Sequence, residues 1–182
     1  MRDGEIGTII GENAFIRSHS VIYAGNVIGS NFQTGHGAMI REDNTIGDNV
    51  SIGTSSVVEH HCRIGDKVRI HSQAFICEYS TLEEGCWIGP GAVLSNTLHP
   101  LCPKAKECLK GPKIEKGAKI GANATVLPDL TIGENSLVGA GAVVVKDVSK
   151  NSVVAGSPAA AIKDIHSLKC RYSLMDKPYA DF

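Results

Sequence analysis

Residues 40–94 read IREDNTIGDNVSIGTSSVVEHHCRIGDKVRIHSQAFICEYSTLEEGCWIGPGAVL. An aliphatic residue recurs at every sixth position, and a small or compact residue often stands four places after it. The period extends beyond this stretch: fourteen of the fifteen positions from Ile10 to Leu94 are aliphatic, as are all six from Ile114 to Val144. Side chains alternate between the faces of a strand, so the small residue and the next aliphatic residue share one face. The period therefore predicts short strands joined by turns, because an α-helix with 3.6 residues per turn would scatter these residues.

The composition agrees with a stack of such strands. Aromatic residues make up only 5% of the chain, whereas 20 of its 182 residues are glycine, more than the usual fraction of about 7%. Stacked six-residue units bury a continuous column of small and β-branched side chains, which predicts an all-β parallel solenoid. The net charge of −1 favours no nucleic-acid partner. The absence of a long apolar run or a signal-peptide pattern predicts no membrane span and a cytoplasmic protein with reduced cysteines.

Two segments depart from the period. Residues 95–113 (SNTLHPLCPKAKECLKGPK) hold three of the seven prolines, which predicts a loop that leaves the solenoid. After Ser157 and Pro158, the run AAAIKDIHSLKC predicts a short helix, with Ser157 as its N-cap. The expected organisation is a β-helix over residues 1–157 that carries the inserted loop, followed by a C-terminal helix and tail over 158–182.

The segments WIGPGAVLSNTLHP, IGANATVLPDLTIGENSLVGAGAVVVKDV and VVAGSPAAAI resemble the hexapeptide-repeat acetyltransferases, including sugar O-acetyltransferases and nucleotide-sugar N-acetyltransferases. The resemblance covers roughly residues 5–157. It implies a left-handed parallel β-helix of about seven coils, in which three hexads form one coil and residues 18 apart stack. It also implies a homotrimer with active sites in the grooves between subunits, acetyl-CoA as co-substrate, and a small-molecule acceptor.

The resemblance also identifies candidate catalytic residues in the loop. His99 matches a His-Pro in the loop of the sugar acetyltransferases, where the histidine is the general base. A neutral imidazole near pH 7 can take a proton from an attacking amine or hydroxyl and pass it to the leaving thiolate. Asn96, in GPGAVLSN, matches the substrate-positioning asparagine of the nucleotide-sugar N-acetyltransferases. The acceptor group is predicted to be an amine on a sugar, with a sugar hydroxyl or another small hydroxyl compound as the alternative.

The 18-residue stacking groups further polar residues with Asn96. Counting back from Asn96 gives Glu78, His60 and Glu42, and Tyr79 stacks over His61 and Asp43 one place along. Such a strip is suited to hydrogen-bonding a sugar, although polar residues are also expected on any solvated corner. His71 lies in a neighbouring column, and we expect His36 and Arg41 to reach the same groove from the adjacent subunit or to bind a phosphate. The predicted substrate-binding residues are Glu78, His60, Glu42, Tyr79, His36, Arg41 and His71.

The predicted acetyl-CoA contacts, taken over from the family, are Ala122, Ala140, Val145, Lys146 and Lys163. Small residues would let the pantetheine arm lie against the backbone, and the lysines would meet the phosphates. Two other classes share the fold. A γ-type carbonic anhydrase would need a third histidine after His36 and His71, but Ile76 stands there, so no metal site is predicted. A non-catalytic scaffold would need neither His99 nor the acetyl-CoA residues.

Overall fold

The computed structural model of the protein describes residues 7–179 as a parallel β-helix built from two-residue strands. Each hexad contributes one strand, except the hexad at Phe15, which forms only an isolated bridge to Gln33, and the four residues between successive strands turn the corner of a triangular prism. The strands are β1 Ile9–Ile10, β2 Val21–Ile22, β3 Val27–Ile28, β4 Gln33–Thr34, β5 Met39–Ile40, β6 Thr45–Ile46, β7 Ser51–Ile52, β8 Val57–Val58, β9 Arg63–Ile64, β10 Arg69–Ile70, β11 Phe75–Ile76, β12 Thr81–Leu82, β13 Trp87–Ile88, β14 Val93–Leu94, β15 Lys113–Ile114, β16 Lys119–Ile120, β17 Thr125–Val126, β18 Thr131–Ile132, β19 Leu137–Val138, β20 Val143–Val144, β21 Ser152–Gly156 and β22 Ala159–Asp164.

Three parallel sheets form the sides of the prism. Sheet A has the order β1-β3-β6-β9-β12-β15-β18, sheet B runs from β4 through β7, β10, β13, β16 and β19 to β21, and sheet C has the order β2-β5-β8-β11-β14-β17-β20. Apart from the pairs β1–β3 and β19–β21, each strand pairs with the third strand along the chain, so about seven coils stack in the left-handed β-helix that the resemblance implied. The pairing joins residues 18 apart, as in Val27↔Thr45, except in the three pairs that span the loop, such as Thr81↔Lys113, and between β19 and β21, where Leu137 pairs with Val153.

The core is a column of aliphatic residues inside the prism. Ile40, Ile76, Ile120 and their counterparts at the second position of each strand are buried, and compact residues such as Ala92 fill the spaces at the corners. Cys62 and Cys86 occupy these inward corner positions, and burial raises the pKa of each thiol to about 12. All six cysteines are free.

The corners project polar residues to solvent. The third residue of each turn has a left-handed backbone, with φ of 58° at Asp43, 57° at His61 and 63° at Tyr79. We name the edges after the sheets that they join. The CA edge contains turns 41–44, 59–62 and 77–80, and the BC edge contains turns 35–38, 53–56, 71–74, 89–92, 121–124 and 139–142.

The predicted C-terminal helix is wrong. Ala159–Asp164 is strand β22, which pairs antiparallel with the edge of β21 and becomes the terminal strand of sheet B. Ser157 lies in the turn between the two strands. An Ala-rich run has helix propensity, but an open sheet edge offers unpaired backbone groups, and pairing with them also buries Ala159. A short 3₁₀ turn follows at Ile165–Ser167. Within residues 7–179 no helix has the length and hydropathy needed to cross a bilayer.

Candidate functional site

The predicted polar strip exists on the CA edge, and its upper end is a hydrogen bond between Asn96 and Glu78. Asn96 is only 9% exposed, and its Nδ2 donates to Glu78 Oε2 at 2.7 Å. The Thr97 hydroxyl donates to Asn96 Oδ1 at 3.1 Å. Both polar atoms of the Asn96 amide are thus engaged, which fixes the side chain and holds the Glu78 carboxylate against it.

Two histidines continue the strip toward the N-terminal end of the prism. His60 Nε2 lies 3.8 Å from Glu78 Oε1, and His60 Nδ1 lies 2.8 Å from His61 Nδ1, so one of these two nitrogens carries a proton. His61 Nε2 lies 4.0 Å from Asp43 Oδ2. The Tyr79 ring stands 5.6 Å from each imidazole. Carboxylates therefore flank the histidine pair above and below, which suits the strip to a cationic or hydroxyl-rich ligand.

Arg41 and Glu42 form a separate ion pair at the lower end of the strip. The Arg41 guanidinium donates through Nε and Nη2 to the two oxygens of Glu42, each at 2.8 Å, and through Nη1 to Glu59 Oε2 at 2.9 Å. The hydrogen bonds from Arg41 lower the pKa of Glu42 to about 2. Sequence reasoning missed Glu59, although it stands 18 residues after Arg41. With two carboxylates bound, Arg41 has little charge left for a phosphate.

The loop that carries His99 leaves the prism from the same edge. It spans the residues between β14 and β15, one residue shorter than predicted at its C-terminal end, and includes a 3₁₀ turn at Ala105–Cys108. Lys110 N donates to the Asn96 carbonyl at 3.1 Å, so the N-terminal and C-terminal ends of the loop are in contact at Asn96. His99 is exposed, and three residues of chain keep its Cα within about 11 Å of the Asn96 Cα.

His36 and His71 lie on the BC edge, not on the CA edge. The His36 Nδ1 lies 2.8 Å from the Ser18 hydroxyl. His71 packs against Trp87, with ring centroids 4.6 Å apart, and its buried Nε2 has no hydrogen-bond partner among the described residues. Burial, with a smaller contribution from Arg69, lowers the pKa of His71, so this imidazole is neutral at pH 7. Ile76 is in the core, and no group of three or more His, Cys, Asp or Glu side chains within residues 7–179 could hold a metal ion.

The residues predicted to contact acetyl-CoA are divided between two edges. Ala122 and Ala140 stack on the BC edge, where Gly141 N donates to the Ala122 carbonyl at 2.8 Å. A Cβ at Gly121 would come within 2.5 Å of Ala140 N, so the backbones of these coils pack as closely as glycine allows. Val145 and Lys146 follow β20 on the CA edge, and Lys163 lies on β22. Both lysines are exposed.

Comparison with known proteins finds similarity within the repeated part of the chain. Residues 45–78 and 111–146 match the family model described as bacterial transferase hexapeptide (six repeats). A 2,3,4,5-tetrahydropyridine-2,6-dicarboxylate N-acetyltransferase from Clostridium perfringens is 45% identical over 78 residues, which cover 43% of this chain and 30% of that protein. The galactoside O-acetyltransferase of Escherichia coli is 35% identical over 100 residues, which cover 53% of this chain and 49% of that protein. The matched residues thus span between 30% and 49% of the length of these relatives.

A solved structure extends the similarity over most of the chain. It is a mutant GDP-perosamine N-acetyltransferase from Caulobacter crescentus in complex with CoA and GDP-perosamine. The TM-score is 0.55 with 25% sequence identity, and the superposition covers 86% of this chain and 58% of that one. The protein therefore carries the bacterial transferase hexapeptide repeat on a left-handed parallel β-helix that it shares with an acetyltransferase of known structure.

Proposed function

We propose that the protein transfers the acetyl group of acetyl-CoA directly to the amino group of a nucleotide-linked sugar, with His99 as general base. The observation that carries this proposal is the hydrogen bond between Asn96 and Glu78 at the foot of the loop that bears His99. It holds a carboxylate beside the place where an acceptor would meet His99. A carboxylate attracts an ammonium group through its charge, whereas it offers a neutral hydroxyl only an ordinary hydrogen bond.

The proposed reaction needs one acyl transfer and the loss of two protons from the acceptor nitrogen. The acceptor ammonium first loses one proton to solvent, which frees the nitrogen lone pair. The amine then attacks the thioester carbonyl while His99 takes the second proton from its nitrogen, the C–S bond breaks, and the imidazolium gives that proton to the leaving CoA thiolate. Asn96 and Glu78 hold the amine in position, and the histidine pair below them bonds sugar hydroxyls. The similarity to an N-acetyltransferase that was crystallised with CoA and a nucleotide-linked sugar supports both substrates.

His99→Ala tests the proposed base. We expect turnover with an amino-sugar acceptor to fall about 10²- to 10⁴-fold, the usual contribution of a general base, while acetyl-CoA binding stays unchanged. His166→Ala is the matched control, because it removes an imidazole from the C-terminal 3₁₀ turn, which holds none of the residues assigned to the site. A loss of less than fivefold in the His99 variant, or an equal loss in the control, would contradict the assignment of His99.

Glu78→Gln tests the acceptor class. The variant keeps a group that can bond to Asn96 but removes the charge, so KM for an amino sugar should rise while the Kd of acetyl-CoA stays constant. A panel of nucleotide-linked amino sugars, free amino sugars and free hydroxyl sugars provides the comparison. If hydroxyl sugars react at least as well as every amine and Glu78→Gln is silent, the protein is an O-acetyltransferase.

We propose further that the active form is a homotrimer. Within one protomer His99 leaves from the CA edge, whereas Ala122 and Ala140 lie on the BC edge, with sheet C between them. A second protomer would let the CA edge of one chain face the BC edge of the next. The outward side chains of sheet C support this packing because they are mostly apolar: Val21, Met39, Val57, Phe75, Val93, Thr125 and Val143.

A charge on sheet C tests the trimer. Met39 is 41% exposed at the outward position of β5, and Met39→Glu should yield monomers because it would bury a carboxylate in the interface. Thr45→Glu is the control, since Thr45 is exposed at the equivalent position of β6 on sheet A. Light scattering that finds a wild-type monomer at micromolar concentration, or an unchanged trimer in the Met39 variant, would contradict this interface.

A further inference from the structure

An open cavity of about 290 Å³ lies on sheet B beside the BC edge, in the N-terminal half of the prism. Two guanidinium groups, several hydroxyls and two histidines line it, whereas no carboxylate does. Gly35 and Gly53 form part of its floor, and neither contributes a side chain that would fill it.

No carboxylate among the described residues neutralises the positive charge of the cavity. Arg17 is held in place by a hydrogen bond from its Nη1 to the Thr34 carbonyl at 2.6 Å and by the Phe15 ring, whose centroid lies 4.6 Å from Cζ. Arg69 is exposed, and within residues 7–179 no carboxylate lies within salt-bridge distance of it or of Arg17. Arg41, by contrast, binds two carboxylates. Two unneutralised guanidinium groups with nearby hydroxyls are a common way of binding phosphate oxygens.

We infer that this cavity binds the diphosphate of the nucleotide-linked acceptor, and that it does so for the active site of a neighbouring protomer. The inference rests on the proposed function and on the proposed trimer, and it assigns to sheet B a role that the strip on the CA edge does not fill. The strip offers carboxylates, imidazoles and the Tyr79 ring to the amino sugar, and its one guanidinium, Arg41, is bound to Glu42 and Glu59. The cavity offers two guanidinium groups that are not bound to a carboxylate among residues 7–179.

The heights of the two sites along the prism agree with a shared ligand. Thr54 and Ser72 belong to the same coils as His60 and Glu78, because each coil passes from the BC edge through sheet C to the CA edge. A three-fold axis parallel to the prism keeps every residue at its own height, so the cavity of one chain stands level with the strip of the next. With coils about 4.8 Å apart, the three coils between Arg17 and His71 span about 14 Å, enough for a sugar and a diphosphate.

The phosphates of CoA are a second source of the same chemistry, but the positions favour the acceptor. Ala122 and Ala140 lie on the same edge as the cavity, on the C-terminal side of Pro90, whereas the cavity ends at Ser72 on the N-terminal side. The acetyl group must lie between the two substrates, near Asn96. A CoA molecule that reached the cavity with its phosphates would therefore pass through the space of the acceptor.

His71 adds a hydrogen-bonding group without adding charge. Its buried Nε2 finds no hydrogen-bond partner within residues 7–179, which is a costly arrangement for a polar atom unless a ligand or water satisfies it. Because the lowered pKa keeps the ring neutral at pH 7, the affinity for a diphosphate should depend on the two arginines rather than on the protonation of His71.

The test compares Arg69→Gln with Arg63→Gln. Both residues are exposed at the first position of a two-residue strand and precede a buried isoleucine, but Arg63 lies on sheet A. Calorimetry of the whole chain with UDP, dTDP, GDP and inorganic pyrophosphate measures diphosphate binding without catalysis, and uridine is the phosphate-free control. At least one diphosphate should bind the wild type and not uridine, and Arg69→Gln should weaken it about ten- to a hundredfold. Arg17→Gln should weaken it as well, and Arg63→Gln by less than threefold.

The outcomes separate this inference from the proposed function. If no diphosphate binds, or if the variants at Arg69 and Arg63 behave alike, the cavity is not a phosphate site, although acetyl transfer to free amines can still be found. If Arg69→Gln weakens CoA instead of the diphosphates, the cavity serves the acetyl donor and the inference is wrong. If the diphosphates bind through Arg69 but acetyl-CoA supports no transfer, the proposed function fails and the phosphate site stands.

Discussion

Replacing Asn96 with aspartate would place two carboxylates where the protein now has an amide and a carboxylate. The Nδ2 of Asn96 lies 2.7 Å from Glu78 Oε2, so the charge centres of the introduced carboxylate and of Glu78 would be about 4 Å apart. Two like charges at that distance repel by about 4 kcal/mol at an effective dielectric constant near 20. The Glu78 side chain is 26% exposed, and this solvent reduces the expected loss of stability at pH 8 to about 2–4 kcal/mol.

The sign of the pH dependence distinguishes repulsion from a simple packing defect. In Asn96→Asp the two carboxyls share one proton, which raises the pKa of one of them in the folded state. The variant should therefore approach wild-type stability at acid pH, where the shared proton restores the hydrogen bond, and lose stability as the pH rises through the raised pKa. Urea unfolding of the variant and the wild type at a series of pH values between 5 and 8 measures this difference.

The double variant Asn96→Asp with Glu78→Gln is the control, because it exchanges the amide and the carboxylate and can re-form the bond. It should recover most of the stability at pH 8. A single variant that is as stable as the wild type at pH 8, or equally destabilised at all pH values with no recovery in the double variant, would refute the assigned contact.

The other predictions concern the corners and the core. Arg41→Gln should cost about 0.5–1 kcal/mol of unfolding free energy at pH 7, because Arg41 and Glu42 are each about a third exposed. The contribution of the pair with Glu42 should be lost as the pH falls from about 4 toward 2, where Glu42 takes up its proton. Ile76→Ala, in the fully buried column, should cost about 2–5 kcal/mol in urea unfolding. Gly65→Ala should cost about 1–3 kcal/mol, since a Cβ there would meet Glu84 N at 2.8 Å; Gly7→Ala, with no atom within 4 Å, should change stability by less than about 0.5 kcal/mol in the same assay.

The period of six predicted most of the fold because it follows directly from the need to bury one apolar side chain in every hexad. An apolar residue at every sixth position is buried only if each hexad is one strand of a stacked coil, and the structure has those strands from Ile9 to Val144. The stacking of Asn96 on Glu78 and of Glu78 on His60 was predicted by the 18-residue step, which came from the resemblance. Arg41 and Glu59 are also 18 residues apart, so the same step could have predicted their ion pair, although it was not used for that purpose.

What the sequence did not reveal depends on interactions that have no period. Ala159–Asp164 pairs with β21 because the last coil leaves the backbone groups of β21 unpaired on one side. The local sequence of an Ala-rich run does not indicate whether such an unpaired strand lies nearby. The cavity on sheet B was missed for a similar reason. Arg17 and Arg69 stand 52 residues apart, at different places in their hexads, and only the packing of a turn against a strand face brings them to one cavity.

Within each hexad, some positions are needed for the fold and others are not, and only the latter can be chosen freely for function. The inward aliphatic and small residues, together with close-packed glycines such as Gly121, are dictated by the stack, so they carry little information about chemistry. The turn residues and the outward strand residue are free of that constraint. Asn96, Glu78 and His60 all occupy the same turn position. A ligand laid along the prism therefore meets a new choice of side chain about every 4.8 Å, and relatives with one backbone can differ in acceptor by exchanging residues that the fold does not need.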